Sequence, residues 1–520
     1  MSQSSYVLAI DNGTQSIRAL VFDAQGNVIA KSKVDLEAYF STQPGWAEQE
    51  ADYYWQSLAQ ACQELWSQGI VSPDQIKGVS LTTQRYTMIN LDENKVPLRP
   101  AVVWMDQRKA EVEKPLTGIW GILIKVLGLS NVIAELRAKA RDNWISQYQP
   151  EIWAKTKHYV SLSAYLTYKL TEQLKDSTGS TMGYLPYDYR KQRWAKKSDL
   201  KWKLLAATRD MMPELVGPGE QLGLISPEAA QLTGLPEGLK MIAAASDKAC
   251  EVLGAGGVDP HIGCLSYGTT ATINTATKKY VETVPFIPPY SAAMPKLYNT
   301  EMMVYRGFWM VSWFKNELAH AEQRKAQELG VETEQLFDEL LNQVPAGSMG
   351  LMMQPYWSPG VRQPGPEGKG ALIGFGDVHK RAHIYRAILE GIAYELRSGK
   401  EQIERRSGTK ITRLRVSGGG SQSDAAMQLT ADIFGMPAER PHTFEASGLG
   451  AAINCCVGLG IHPSYDAAIE NMTRLGDVFE PHQPTVVLYD RLYKEVYKKI
   501  YKRMQPLYKS IREITGYPKK

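Results

Sequence analysis

The amino-acid sequence predicts an α/β protein with more than one domain. Short apolar segments alternate with helical patterns along the chain, which is typical of sheets covered by helices. The length of 520 residues exceeds that of most single domains. A pattern of strand, glycine–threonine turn and strand occurs near the start and again, in weaker form, after residue 256. One copy in each half predicts a duplicated domain.

The first half is expected to begin with three strands and then to alternate helices with strands. Apolar runs at 6–10, 17–22 and 28–31 are separated by turn-forming residues at 11–15 and 23–27. The elements expected after them are a helix over 53–68, strands over 76–82, 88–91 and 102–104, a helix-rich region over 151–170, and a buried strand over 241–245.

Glycines at 254–257 mark the predicted boundary between a domain over 1–256 and a second domain over 257–520, and they are also a candidate hinge. Beyond the boundary we expect two further strands around the turn Gly268-Thr269-Thr270. A strand over 414–416 is expected to lead, through three glycines, into a helix that starts near Asp424.

Composition narrows the class of protein. Hydrophobic residues make up 43% and charged residues 22%, which is typical of a globular chain and excludes a disordered or fibrous one. The five cysteines include no CxxC pair, so neither a disulfide framework nor a zinc ribbon is predicted. The start of the chain is polar and uncharged, unlike a signal peptide. We therefore expect a reducing, cytoplasmic environment.

An apolar stretch over 116–136 is about long enough to span a bilayer. Lys125, Ser130, Asn131 and Glu135 interrupt it, which argues against a span. A buried or capping helix is the favoured interpretation. An oligomer contact, and with it a homodimer, or a contact with a membrane surface are the alternatives.

The end of the chain is strongly basic. Residues 491–520 contain ten Lys or Arg and two Glu, a net charge of +8 within a chain whose net charge is +4. A basic tail is one signature of nucleic-acid binding. However, Tyr489, Tyr493, Tyr497 and Tyr501 recur every four residues, so the favoured prediction is an amphipathic helix that docks through its tyrosines.

Three glycine–hydroxyl turns could bind phosphate groups through backbone N–H donors. Neither GxxxxGK[ST] nor GxGxxG is present at a suitable place. The first turn, Asp11-Asn12-Gly13-Thr14, taken alone favours a plain hairpin, because Asn-Gly is a strong hairpin signal. The same ambiguity applies to Gly268-Thr269-Thr270. The third turn, Gly418-Gly419-Gly420, lies at a strand-to-helix junction, where three glycines are costly in backbone entropy and so favour function.

Asp247 follows a nearly uncharged run and precedes a lysine. A carboxylate at the end of a buried strand is a suitable general base. An aspartate that caps the following helix is an equally good interpretation of the same pattern.

Taken together, these motifs resemble the FGGY family of carbohydrate kinases over essentially the whole chain. The C-terminal signature of that family resembles Gly370-Ala-Leu-Ile-Gly374-Phe375 and the residues up to Glu390, although Phe375 replaces a smaller aliphatic residue. The N-terminal signature is poorly kept around Arg141. The motifs that follow the family's order are Asp11 to Thr14, Trp104-Met-Asp106-Gln-Arg108, Ser246-Asp247, Tyr267 to Thr270, and Gly418 to Gly420.

The resemblance implies two RNase-H-like domains of the actin-like ATPase fold that flank a catalytic cleft. It implies that the first domain binds a sugar or polyol and that the second binds ATP. Asp247 resembles the catalytic base, and the resemblance places Mg²⁺ near Asp11 and Asp247. The residues it implies for ATP and its phosphates are Asp11, Gly13, Thr14, Gly268, Thr269, Thr270, Gly418, Gly419, Gly420 and Ser423.

The loop Gln84-Arg85-Tyr86 is similar to the substrate loop of the family, where glycerol kinases carry Gln-Arg-Glu and xylulose kinases Gln-Met-His. An arginine presents a fixed fork of donors to vicinal hydroxyls. Tyr86 offers a ring and a hydroxyl but no carboxylate, which weakens the case for glycerol and leaves a ketose or another polyol. Trp104 resembles a substrate-facing aromatic residue, although core packing is also possible.

Asp106 and Arg108 could belong to the site, or they could instead form a surface salt bridge. A non-catalytic, nucleotide-dependent sensor of the actin-like superfamily is the rival function, and it need not keep a carboxylate at Asp247. We expect a small-molecule substrate, no nucleic-acid partner and no stable membrane insertion.

Overall fold

The structure, a computed structural model, describes residues 5–112, 116, 118–126, 129–360 and 364–517. The chain divides into two compact units. The first unit comprises Met1–Gly256, Tyr290–Tyr298 and Glu445–Thr473, and the second comprises Gly257–Pro289, Asn299–Phe444 and Arg474–Lys520. This division differs from a single boundary after residue 256, because two later segments return to the first unit.

The strands are short and are distributed over both units. In chain order they are β1 (Tyr6–Asn12), β2 (Ser16–Phe22), β3 (Val28–Asp35), β4 (Glu48–Gln49), β5 (Ile76–Thr83), β6 (Met88–Leu91), β7 (Ala101–Val102), β8 (His158–Ser161), β9 (Lys175–Ser177), β10 (Tyr187–Asp188), β11 (Arg193–Trp194), β12 (Glu214–Val216), β13 (Gln221–Leu224), β14 (Lys240–Ser246), β15 (Ile262–Tyr267), β16 (Ala271–Thr277), β17 (Tyr290–Ser291), β18 (Tyr298–Val304), β19 (Met352–Gln354), β20 (Ala371–Ile373), β21 (Arg413–Ser417), β22 (Ala438–Pro441) and β23 (Leu475–Phe479).

The α-helices alternate with these strands, which confirms the α/β prediction. They are α1 (Ala51–Ser67), α2 (Gly118–Val126), α3 (Ser130–Lys139), α4 (Arg141–Tyr148), α5 (Pro150–Lys155), α6 (Leu162–Thr171), α7 (Lys201–Leu204), α8 (Pro227–Thr233), α9 (Asp247–Gly254), α10 (Trp309–Leu318), α11 (His320–Leu329), α12 (Phe337–Asn342), α13 (Arg381–Ser407), α14 (Asp424–Phe434), α15 (Ala446–Gly458), α16 (Tyr465–Met472), α17 (Gln483–Arg491) and α18 (Lys498–Thr515).

The main sheet of the first unit has the strand order β13-β14-β5-β1-β2-β3. Strand β1 pairs antiparallel with β2 and parallel with β5, which in turn pairs parallel with β14. Alternate side chains point to opposite faces of the sheet. Leu8 and Ile10 therefore pack in the core beneath α1, whereas Leu20 lies against Gly448 of α15.

The second unit repeats this arrangement. Its strands lie in the order β18-β16-β15-β21-β22-β23. Strand β15 pairs antiparallel with β16 and parallel with β21, and β21 pairs parallel with β22. In each unit the outer parallel strand is followed by an antiparallel one, β13 or β23. The matching order supports the duplication that the repeated turn pattern predicts.

Helices α9 and α15 of the first unit cross in backbone contact. A Cβ on Gly254 would lie 1.9 Å from the Ala446 carbonyl oxygen, and one on Gly450 would lie 2.0 Å from that of Cys250. Such a close approach requires glycine on both helices. Gly254 is the last residue of α9 and is held by this packing, and the hinge over 254–257 stays a prediction. The same contact holds Glu445–Thr473 in the first unit.

A smaller sheet of the first unit, in the order β4-β7-β6-β8, positions the loops that follow β5 and β7. Its edge strand β8 lies inside the region predicted to be rich in helix, between α5 and α6. Strand β8 pairs along the whole of β6, so tertiary pairing decides its conformation.

The apolar stretch over 116–136 contains two helices rather than one. Helix α2 ends at Val126 and α3 starts at Ser130. The exposed Trp120 and Val126 show that α2 is not fully buried. No helix in the described ranges is both long enough and apolar enough to cross a membrane.

The basic C-terminal segment docks on the second unit through its tyrosines, as predicted. Tyr489, Tyr493, Tyr497 and Tyr501 are all buried. A four-residue spacing drifts by about 40° per step around an α-helix. The wider turn of the π-helical segment Leu492–Tyr497 offsets this drift and keeps the rings on one face.

Candidate active site

The candidate site of the first unit lies at the carboxyl ends of three adjacent parallel strands. Strand β1 ends at Asn12, β5 at Thr83 and β14 at Ser246. The sheet register aligns Asn12 with Thr83, and Thr83 with Ser246. The side chains next to these ends, Asp11, Gln84 and Asp247, are therefore brought to one edge of the sheet, where open α/β sheets bind ligands.

Asp11 is almost completely buried at the end of β1. The turn after it is a hairpin, since the Gly13 N–H donates to the Ser16 carbonyl oxygen at 3.0 Å and β1 continues into β2. Register places Arg18 opposite Asp11, and Arg18 Nη1 lies 3.4 Å from Asp11 Oδ2. The plain hairpin interpretation is thus correct for the backbone, and it fixes a carboxylate beside the turn.

Burial raises the pKa of Asp11 to about 7, although Arg18 opposes the shift. The charges of Asp247, Glu445 and Glu251 raise it further. These carboxylates are therefore close enough to repel one another. A site of this kind favours a proton or a cation.

Thr14 links the turn after β1 to two residues predicted to bind substrate. Trp104 Nε1 donates to Thr14 Oγ1 at 2.9 Å, and Thr14 Oγ1 donates to Gln84 Oε1 at 3.4 Å. Gln84 Nε2 in turn donates to the buried Tyr54 hydroxyl at 3.2 Å. This chain of hydrogen bonds fixes the orientation of the Gln84 amide. It also holds the Trp104 ring at the site.

Asp247 is the first residue of α9 and is half-buried. Ser246 occupies the N-cap position, and its hydroxyl makes no capping hydrogen bond. The Lys248 N–H donates to Asp247 Oδ1 at 2.7 Å. Asp247 is therefore not the N-cap of α9, because it lies one residue after Ser246 in the first turn of the helix.

Burial and the neighbouring cations act on the pKa of Asp247 in opposite directions, and its pKa is raised overall. Burial raises its pKa, whereas Arg85 and Lys248 lower it. Lys248 Nζ donates to Glu251 Oε2 at 2.7 Å, and both side chains are largely buried. The Arg85 guanidinium lies 5.2 Å from the centre of the Tyr290 ring. A carboxylate whose pKa is raised by burial next to cationic side chains is a candidate functional group.

Tyr86 packs into the interior of the first unit. Its backbone is left-handed, with φ of 54°, and a Cβ on Gly183 would lie 2.1 Å from its ring. The Arg141 guanidinium lies 4.1 Å from the ring centre and also donates to the Tyr86 carbonyl oxygen. The hydroxyl is buried, has no partner among the described residues, and lines a small cavity with Ser161 and Asp176.

Asp106 and Arg108 form an ion pair, but it is buried, so the prediction of a surface salt bridge is wrong. Both side chains are about 1% exposed. Arg108 Nε donates to Asp106 Oδ1 at 2.8 Å, and Arg108 Nη2 to Oδ2 at 2.7 Å. The guanidinium also lies over the rings of Trp46 and Trp144. This bidentate pair supports the loop that carries Trp104.

In the second unit, the turn Gly268-Thr269-Thr270 joins β15 to β16, and Thr269 is exposed. The Phe308 N–H donates to the Gly268 carbonyl oxygen at 3.1 Å, which fixes the turn against the start of α10. The Phe308 ring stacks on Tyr267 with centres 4.5 Å apart.

The three glycines after β21 meet different surroundings. Gly418 has φ of +86°, and a Cβ there would lie 2.9 Å from the Tyr267 carbonyl. A Cβ on Gly420 would lie 2.1 Å from the Phe308 ring. By contrast, a Cβ on the exposed Gly419 would meet no atom within 4 Å. Two of the glycines are therefore needed for packing, and Gly419 presents open backbone.

Ser423 has a structural partner. It is the N-cap of α14, accepting from the Ala426 N–H at 2.9 Å, and its hydroxyl donates to Asp338. This position caps a helix that starts directly after the glycine turn.

Sequence reasoning missed several neighbours of the site. Tyr54 and Arg141 contact the predicted substrate residues, and Glu445 lies near Asp11 from a distant part of the chain. Arg18 could have been found from the register of the first hairpin. No local pattern marks Tyr54 or Glu445, because only the tertiary fold brings them to the site.

The chain is similar to known proteins along nearly its whole length. Models of the FGGY family of carbohydrate kinases match residues 6–254 (N-terminal domain) and 263–459 (C-terminal domain). An uncharacterized sugar kinase of Escherichia coli (strain K12) is 30% identical over 488 residues, covering 94% of this chain and 91% of that protein. A xylulose kinase of Staphylococcus epidermidis (strain ATCC 12228 / FDA PCI 1200) is 27% identical over 515 residues, covering 98% and 97%. The crystal structure of gluconate kinase from Lactobacillus acidophilus aligns with a TM-score of 0.79 at 20% identity over 99% of both chains, which shows a shared fold.

Proposed function

The chain belongs to the FGGY family of carbohydrate kinases, and we propose that Asp247 is the base that activates the acceptor hydroxyl of a ketose or small polyol. The protein has the two-domain actin-like fold and is a phosphotransferase for a sugar or polyol, with ATP as its co-substrate. The position of Asp247 carries the proposal: its carboxylate follows β14 at the strand-end edge, close enough to Asp11 and Arg85 for their charges to interact.

In this mechanism, the Asp247 carboxylate accepts the proton of the acceptor hydroxyl while the hydroxyl oxygen attacks the γ-phosphorus of ATP, and ADP leaves. Arg85 and Lys248 lower the pKa of Asp247 and so oppose the effect of burial. The neighbouring cations favour the ionised form of the carboxylate, which is the form that acts as a base. The Lys248 N–H holds Oδ1, which orients the carboxylate.

We propose Mg²⁺ as the metal that accompanies ATP, near Asp11 and Asp247. Mg²⁺ is usually held by one or two carboxylates together with substrate phosphates, and it neutralises charge on the phosphoryl group. The described residues include no cluster of three or more acidic, His or Cys side chains that would hold a metal alone. The mutual repulsion of Asp11 and Asp247 fits a divalent cation that arrives with the nucleotide.

For the nucleotide, we propose that backbone N–H groups of the glycine turns bind the phosphates. In the first unit this role falls to Thr14, because the Gly13 N–H donates to the Ser16 carbonyl oxygen. In the second unit it falls to the Gly268-Thr269-Thr270 turn. Adenosine would lie along the three glycines after β21, where Gly419 offers open backbone. Ser423 would then act by capping α14 next to the adenosine, since its hydroxyl is bonded to Asp338.

The acceptor is proposed to bind against Gln84, Arg85 and Trp104. The fixed amide of Gln84 and the fork of Arg85 suit the hydroxyls of a polyhydroxylated chain. The aromatic ring of Trp104 suits its carbon skeleton. Tyr86 supports this loop by packing beneath it. It has no carboxylate that could accept a hydrogen bond from a small polyol. These features, and the similarity to a xylulose kinase, favour a ketose over glycerol.

The environment and assembly are proposals as well. All five cysteines are free and buried, in keeping with a reducing, cytoplasmic setting. The exposed apolar Trp120 and Val126 of α2 support a homodimer contact. Analytical ultracentrifugation of the wild type and of Val126→Gln would test the dimer.

An acceptor panel tests the proposed function. Pentuloses, hexuloses, tetritols and glycerol are each added to enzyme, ATP and Mg²⁺, and ADP release is measured. We expect release that depends on a pentulose or hexulose and is lost in Asp247→Asn. ADP release that no acceptor stimulates would contradict the proposal and favour a nucleotide-dependent sensor.

A further inference from the structure

Helix α18 has two distinct faces. Its inner face carries Tyr501 and Tyr508, which are buried against the second unit. A second row of residues lies on one side of the helix, because its members are three or four positions apart. Every residue of this row is exposed. We call this row the outer stripe, and its members are Lys499, Arg503, Leu507, Ser510 and Ile514.

The outer stripe is apolar towards the end of the helix. Leu507 is 55% exposed and Ile514 is 84% exposed, and Tyr517 beyond the helix end is 65% exposed. The tyrosine face already docks the helix, so packing within the second unit does not explain these side chains. Exposed apolar side chains that share one side of a helix can mark an interaction surface.

An open apolar groove of about 390 Å³ adjoins Tyr517. Its lining includes Trp357, Pro359 and Leu372. At its rim, Lys369 Nζ lies 4.4 Å from the centre of the Tyr517 ring. The groove therefore extends the exposed apolar surface beyond the helix and adds a cation to it.

Charge decides between possible occupants. The outer stripe contains Lys499 and Arg503 and no acidic residue, and Lys369 lies at the rim of the groove, so two copies of this face would repel each other. A nucleic-acid backbone would attract the lysines but would leave Leu507 and Ile514 in water. A bilayer with anionic headgroups meets both requirements, because basic amphipathic helices lie in the interface with their apolar side chains inserted.

We propose that the outer stripe of α18, together with Tyr517, is a peripheral docking surface for an anionic lipid bilayer. Leu507, Ile514 and Tyr517 would enter the headgroup region. Lys499 and Arg503 would contact lipid phosphates. This role is separate from phosphoryl transfer and involves none of the residues proposed for the site.

Vesicle flotation of the full-length protein tests the proposal. The vesicles contain phosphatidylcholine alone, or phosphatidylcholine with about a third phosphatidylglycerol. We expect binding to the anionic vesicles only, and less binding as salt screens the charge. Arg503→Gln should weaken partitioning about fivefold. Ile514→Gln should weaken it about tenfold or more.

Leu329→Gln is the matched control, since Leu329 is an exposed apolar residue at the end of α11. It should bind like the wild type, and all three variants should keep the wild-type melting temperature. Equal binding to neutral vesicles, no binding to either, or unchanged binding of both stripe variants would overturn the proposal. Light scattering without vesicles supplies a further refutation if it shows a dimer that Ile514→Gln dissociates.

Discussion

Replacement of Asp247 by Asn is expected to stop phosphoryl transfer while leaving ATP binding almost unchanged. The amide cannot accept the proton of the acceptor hydroxyl, but it keeps an oxygen that can accept the Lys248 N–H at the start of α9. The first turn of the helix should therefore remain intact. The change removes a negative charge near Asp11, so the pKa of Asp11 should also fall.

The expected effects on rate and on stability differ in size. A positioned base contributes about 10²–10⁴-fold to the rate, which corresponds to about 3–5 kcal/mol of activation free energy. An acidic residue in the first turn of a helix contributes only about 0.3–1 kcal/mol to stability. If Asp247 served only the helix, its loss would thus change the melting temperature slightly and the rate very little.

Asp466→Asn provides the matched control. Asp466 also lies in the first turn of a helix of the first unit, α16, and it is exposed. The assay is ADP release with the best acceptor from the panel, accompanied by ATP titration and thermal melting. We expect a large loss of kcat in Asp247→Asn alone. Near-wild-type turnover of Asp247→Asn would refute the assignment of the base.

Further substitutions test the surroundings of the site. A side chain at Gly419 meets no neighbouring atom, so Gly419→Val should raise the KM for ATP about tenfold or more without unfolding the protein. Gly420→Val clashes with the Phe308 ring and should instead lower the melting temperature. Equal effects of Gly419→Val on the KM for sugar and for ATP would contradict the nucleotide assignment. Burial raises the pKa of Asp11 from 3.8 to about 7. The contribution of Asp11 to stability is therefore present below about pH 4 and is lost as pH rises to about 7, by up to about 4 kcal/mol. Asp11→Asn should flatten the dependence of the melting temperature on pH over that range, and a profile like that of the wild type would disprove the shift. Tyr86→Phe removes a buried hydroxyl without a partner among the described residues and should keep kcat/KM within about twofold, and a loss of about tenfold would instead show that the phenol bonds the sugar. Tyr54→Phe removes the hydroxyl that accepts from the Gln84 amide. It should raise the KM for sugar about fivefold without changing the KM for ATP. A rise in both KM values would indicate a general loss of structure.

The strand ends could be predicted from sequence because buried strands and turns have local signatures. Strand β6 has the predicted limits, and β1, β2 and β5 extend the predicted runs by only one or two residues. Strand β8 was missed, because its conformation depends on pairing with β6 rather than on its own pattern. The return of Glu445–Thr473 to the first unit depends on close helix contact at Gly254 and Gly450, which no local pattern reveals.

Within the site, the type of residue was easier to predict than its environment. A carboxylate next to a strand end is visible in the sequence, as Asp11 and Asp247 show. Whether a salt bridge is buried is not visible, and Asp106 with Arg108 proved to lie inside the first unit. The packing of Tyr86 beneath Arg141 likewise requires the fold, since 55 positions separate the two residues.

The repeated sheet suggests why the two units have different roles in the proposed mechanism. Strands β1 and β15 occupy the same place in their sheets, and each is followed by a glycine turn. Two positions before that glycine, the first unit has Asp11 and the second has Ser266. After the parallel neighbours β5 and β21, the first unit has Gln84 and the second has Gly418.

The strand ends of the first unit are therefore followed by charged and amide side chains, whereas those of the second unit are followed by glycines with accessible backbone. Side chains such as Asp11 and Asp247 can move a proton or bind a cation, whereas glycine turns offer neutral N–H donors that suit phosphate oxygens. A duplicated fold can thus divide one reaction between its copies through substitutions at equivalent strand ends. On this reasoning, exchanging Ser266 for Asp would place a buried negative charge behind the phosphate turn of the second unit. It should weaken ATP binding while leaving sugar binding unchanged, and equal affinity for ATP in Ser266→Asp would argue against this division of roles.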